Sequence, residues 1–236
     1  MGLFLTTDIS SRFMINGVYK MPFKFLGSEV WLTDSMLTLV LVTIILLIVG
    51  TICHKILVNA KEVPEGAQNV IELLVEFVNG ICESNFGEKA SRFSSYIGTV
   101  FCFLLLSNLM GLLGLRAPSG DYGVTFALGM FTFFIIQFQG FKNSGIGNIT
   151  GLFQPLPFLF PINLIGEIAN PITLSLRLFA NMLAGIIIMG LWYAMVPIFG
   201  KIGVPAFLHA YSDLFSGCIQ AYVFCMLSSV YISQKL

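Results

Sequence analysis

Charge is what this chain has least of. Twelve basic and twelve acidic residues serve 236 positions, 10% of the chain, where soluble proteins carry about a quarter. With 56% hydrophobic residues and a mean hydropathy of +0.89, a soluble globular fold is excluded. The charges cancel to zero, so no basic surface for nucleic acid is expected. Alternating segments of about ten residues, the mark of a transmembrane barrel, do not occur. Cysteine is also scarce: Cys53, Cys82, Cys102, Cys218 and Cys225 are odd in number and lie in or beside apolar runs. They read as small buried hydrophobes, neither a disulfide framework nor a metal site. The first thirty residues lack the basic and then apolar regions of a signal peptide.

Long uncharged runs fill the chain instead. Residues 1–32 are mixed and polar, an extramembrane arm. Met36 to Cys53 gives 18 strongly apolar residues, Phe93 to Leu115 gives 23 uncharged ones and Tyr122 to Phe141 gives 20. Each suffices for a membrane crossing, which takes roughly 18 residues or more. The expected spans are 34–54, 93–115 and 122–142. The segment 62–92 differs in kind. Glu72, Glu76, Asn79 and Glu83 recur at helical spacing, and Ile71, Leu74, Val78 and Ile81 recur on another face. This is an amphipathic helix lying at the membrane surface or against a partner.

The last third holds two over-length segments, 157–200 and 203–236, joined by Gly200-Lys201-Ile202-Gly203. The 44 residues of the first would reach about 65 Å as a helix, and the hydrocarbon core is only about 30 Å thick. A long, steeply tilted helical hairpin follows. The fold class expected is an all-α integral membrane protein, with about five crossings and one interfacial helix. Five crossings put the two ends on opposite sides. Six basic residues fall on one side and five on the other, which hardly sets an orientation, and those nearest the span ends favour the N-terminus outside and the C-terminus in the cytoplasm.

Arg177 lies inside the first arm of that hairpin, followed by 23 uncharged residues, Leu178 to Gly200. An arginine at membrane depth costs at least about 2.5 kcal/mol, so its charge has work to do there. On a helix Asn163, Glu167, Asn170, Thr173, Arg177 and Asn181 form one stripe. In the second arm His209, Asp213, Ser216 and Gln220 form another. Two such stripes can enclose a hydrated path for a small ion, because carboxylates, histidine and amides are the parts of proton relays. Asn163, Asn170, Thr173 and Gln220 serve equally well as hydrogen-bonding glue between helices, and His209 is either an interfacial or a channel residue. Glu167 and Asp213 resist the structural reading, since an unpaired buried carboxylate is expensive.

The chain resembles subunit a of F-type ATP synthases from Leu32 to its end. Leu174-Ser175-Leu176-Arg177-Leu178-Phe179-Ala180-Asn181-Met182-Leu183-Ala184-Gly185 carries the resemblance most strongly. Val63 to Asn69, Thr33-Asp34-Ser35, Ser107 to Leu113 and Ile219 to Phe224 support it by order and spacing. The resemblance implies two offset half-channels that pass protons or sodium to and from carboxylates of a c-subunit ring. It places the essential, leak-blocking arginine at Arg177. It also implies peripheral-stalk b subunits and the rest of the synthase as partners in a lipid bilayer, no cofactor, and no ATP site on this chain. Opposite charges 4 Å apart attract by about 4 kcal/mol at an effective dielectric near 20, enough to draw a ring carboxylate to the arginine and still release it.

Two departures from the family pattern bear on the channels. Many members carry an acid directly after the position of Gly185, where this chain has Ile186. The position seven before Gln220 is often histidine or glutamate, and here it is Asp213. The carboxylate has moved to the other arm. The competing readings are a self-contained secondary ion transporter, which would carry repeats absent from this sequence, and a purely structural membrane subunit, which leaves Arg177 and the stripes without a purpose. The membrane expected is the plasma membrane of a bacterium, ahead of an organelle inner membrane.

Overall fold

A computed structural model describes residues 17–25, 28–58, 66–113, 115–145, 147, 158, 160–195 and 210–236. A two-stranded antiparallel hairpin comes first, β1 (Gly17–Phe25) and β2 (Ser28–Thr33), with Gly17 opposite Thr33 and Lys20 opposite Trp31. It belongs to the arm. Among the described residues, the regular structure that follows is all helix.

The described residues form six α-helices there: α1 (Asp34–Val58), α2 (Ala67–Phe86), α3 (Ala90–Leu112), α4 (Tyr122–Ser144), α5 (Phe160–Met195) and α6 (Ser216–Ser233). Five of them, all but α2, are long and apolar enough to cross a membrane. Strand β2 runs straight into α1, whose start is capped by the Thr33 hydroxyl accepting the Met36 amide at 3.4 Å. The amphipathic pattern expected over 62–92 is cut at Gly87, which takes φ +55° and closes α2. A left-handed residue there suits glycine alone without strain, so one 3₁₀ turn (Gly87–Lys89) redirects the chain and Ser91 and Arg92 join α3. Asp121 caps α4 by accepting the Gly123 amide at 3.0 Å.

The core lies where α2, α3, α5 and α6 meet. Cys82, Ile97, Leu104, Leu178, Phe224 and Cys225 are buried together there. Leu178 and Leu174 thus point inward from α5, and Arg177 stays on the exposed side of the same helix. Burial, with Glu83 adding to it, pushes the Cys82 thiol above its ordinary range, so this cysteine is packing rather than chemistry. All five cysteines are free thiols.

The 36 residues of α5 span about 54 Å, far more than the ~30 Å hydrocarbon core. Pro161 sits in the first turn, where a missing N–H does no harm. Pro171 lies in the interior and interrupts the backbone ladder. Its carbonyl is met by the bare backbone of Gly129 on α4: a methyl group built on Gly129 would come within 2.8 Å of that oxygen. The close glycine lets α4 and α5 pack at the point where the proline disturbs α5.

Candidate functional site in the seam between the last two long helices

Helix α6 runs antiparallel to α5, and polar side chains mark the seam between them. The Ser216 hydroxyl donates to Asn181 Oδ1 at 2.7 Å. Further along, the Cβ of Ser212 would lie 3.4 Å from a methyl group placed on Gly185. These two contacts set the register. Four residues back from Asn181 is Arg177, and four residues on from Ser216 is Gln220, so Arg177 and Gln220 stand at one level. Gln220 Nε2 is buried with no hydrogen-bond partner. A buried amide nitrogen in that condition costs about 1–3 kcal/mol, which is characteristic of a group kept for something other than stability.

Arg177 faces outward beside that seam. Leu176, Ala180, Ile187 and Leu191 are exposed on α5, as are Phe215 at the end of the segment before α6 and Ile219 on α6. Between Glu167 and Met195 it is the one charged residue of the helix. A single cation therefore stands on a broad apolar surface. Thr173 is exposed on the same side, one turn earlier, and Asn170 is half-buried.

Glu167 occupies the other end of the seam and is fully engaged. Gln137 Nε2 of α4 donates to its Oε2 at 2.9 Å, and the Lys235 ammonium pairs with its Oε1. The pair is half-buried, with side-chain exposures of 23% for Lys235 and 20% for Glu167. Neither partner lies on a stripe visible in the sequence. Gln137 is one polar residue in an apolar run, and Lys235 reaches back from beyond the end of α6.

The second stripe differs from its expected form. Residues Ala210–Phe215 wind as a π-helix and α-helical winding begins only at Ser216. The wider π turn shifts the angular position of Asp213 relative to Ser216 and Gln220 from that of a continuous α-helix. Asp213 directly follows Ser212, the residue packed on Gly185, so the chain at 213 passes close to Gly185 and Ile186. His209 lies outside the described residues. Among the described residues, no three His, Cys, Asp or Glu side chains gather as they would around a metal ion.

Five helices long and apolar enough to cross a membrane, among the described residues, define a polytopic membrane protein. Comparison with known proteins is decisive about which. The family model for the ATP synthase A chain matches residues 36–233. The sodium-ion-specific ATP synthase subunit a of Propionigenium modestum is 36% identical, over 94% of this chain and 78% of that one. ATP synthase subunit a of Streptococcus agalactiae is 33% identical over 90% of this chain and 94% of its own length. The chloroplastic subunit a of Stigeoclonium helveticum is 35% identical over 84% of this chain and 81% of that one. The chain belongs to the ATP synthase A chain family and is a component of the ATP synthase complex.

Proposed function

We propose that this subunit carries the ion path of a rotary ATP synthase. Two half-channels, open to opposite sides, deliver an ion to a carboxylate on a ring of c subunits and receive it after rotation. The observation that carries this reading is Arg177: one exposed cation on an apolar face, level with Gln220, whose Nε2 is buried and unpartnered. An apolar face with one cation fits a partner that is itself apolar and brings one carboxylate. Arg177 draws the ionised carboxylate past the seam and prevents ions from leaking directly between the channels. Asn181, Ser216 and Gln220 border it. Asp213, with His209, serves the channel on the Gly185 side. Glu167, with Asn170 and Thr173, serves the channel on the Lys235 side.

The subunit itself is non-catalytic, and nucleotide chemistry belongs to the other subunits. The exposed apolar side chains of α1 (Val40, Ile44, Leu47) offer a surface to peripheral-stalk b subunits. The bacterial relatives support a bacterial plasma membrane, with the N-terminus outside and the C-terminus in the cytoplasm. The ion is a proton or sodium, and the sodium-specific relative makes both arms of the test necessary. Native purification should bring down a ring of small c subunits, and ATP should drive the purified complex in vesicles to acidify the lumen or load it with sodium. A preparation that retains no ring, or that transports neither ion, contradicts the reading.

A further inference from the structure

The seam depends on how α6 is held at the point where it changes from π to α winding. That junction, Phe215 to Gly217, is where Ser216 reaches Asn181. A π turn is rare and occurs mostly at functional sites, so a neighbour that holds this junction sets the placement of α6. The neighbour in place is Asn108 of α3, 3% exposed. Its Nδ2 donates to the Gly217 carbonyl oxygen at 3.0 Å, and its Oδ1 accepts the Ser119 hydroxyl at 2.8 Å. Ser119 belongs to the 3₁₀ turn (Pro118–Gly120) between α3 and α4, and is itself 3% exposed. Glycine at 217 makes the approach possible: a methyl group there would lie 2.8 Å from the Asn108 Cβ. The same turn touches α5, since a methyl group on Gly120 would meet Ile186 Cδ1 at 3.7 Å.

We infer that Asn108 is a positioning residue for ion transport: with Ser119 and Gly217 it clamps the π-to-α junction of the last helix and so sets the level of Ser216 and Gln220 against Asn181 and Arg177. Both ends of the Asn108 amide bond within the protein, so it acts through the junction and not as a carrier of the ion. The importance of that level rests on the function proposed above. The clamp itself does not.

The test separates the two. Cysteines at Gly185 and Ser212 place their Cβ atoms within reach of a disulfide, and the rate of its formation in the assembled complex, followed by peptide mapping, reports the position of the π segment alone. Asn108→Leu keeps the branched shape and the number of side-chain heavy atoms and removes both hydrogen bonds. It should slow that disulfide severalfold and, in the otherwise unaltered chain, lower ATP-driven transport by roughly tenfold to a hundredfold, the cost of a displacement near 1 Å, with the ring still bound. An unchanged disulfide rate overturns the clamp whatever transport does. A slowed disulfide with normal transport overturns the positioning role. Where Asn108→Leu fails to assemble, Gly217→Ala presses on the same contact from the other side. It should reproduce both losses, and normal values for both would overturn the inference. An Arg177→Ala complex that transports normally would refute the ion path itself while leaving the disulfide result standing.

Discussion

Arg177→Ala is expected to end ATP-driven transport. At an effective dielectric near 20, the guanidinium holds an approaching carboxylate by about 4 kcal/mol at 4 Å. Losing that attraction converts to a fall of roughly a thousandfold, which vesicle assays will read as background. The outward, exposed placement of Arg177 means that alanine leaves no hole in the core, where Leu174 and Leu178 do the packing. Assembly should therefore survive, and a passive leak through the joined half-channels should appear. Arg177→Lys should also fail in large part, because an ammonium is a point charge that loses its proton when desolvated. Quinacrine-type fluorescence quenching in inverted vesicles measures a proton flux, and a sodium-uptake assay measures the alternative.

Asp213→Asn is expected to produce the second largest effect. Isoleucine at 186 can neither accept nor release a proton, so the channel proposed on the Gly185 side takes its carboxylate from Asp213. The contact between Gly185 and Ser212 brings the chain at 213 to that place. Asparagine keeps the shape and loses the titratable group, and removal of a general acid or base costs about a hundredfold or more. Transport should fall on that scale with the complex intact. Adding Ile186→Glu should restore part of the rate by returning a carboxylate to the same place in the proposed channel from the other helix. A fully active Asp213→Asn subunit would make that carboxylate structural and move the search to Glu167 and His209.

The spans were legible because a run of eighteen or more uncharged residues has one low-energy use. The over-long α5 with Arg177 inside it was legible for a related reason: a charge within a long apolar run and a helix longer than the bilayer both demand a cause. Gly87 was not, because the acidic and apolar repeats continue to its edge and only a positive φ ends the helix. The π winding of Ala210–Phe215 was not, since a spacing of 4, 3 and 4 fits an α-helix equally well. Gln137, Lys235 and Asn108 escaped because their roles come from pairing across helices: Lys235 meets Glu167 across 68 positions of sequence, and Asn108 meets Gly217 across 109. No periodicity within one segment carries that information.

The face presented by Arg177 is tested most directly by disulfide crosslinking between this subunit and its ring. Cysteines at Thr173 and Asn181 lie on the Arg177 side of α5, and a cysteine at Leu178, 1% exposed, lies in the core. Paired with c-subunit cysteines beside the ring carboxylate, Thr173→Cys and Asn181→Cys should crosslink at mid-membrane level and Leu178→Cys should not. Equal crosslinking from all three positions, or from Leu178→Cys alone, would contradict an arginine held against the ring by a fixed hairpin.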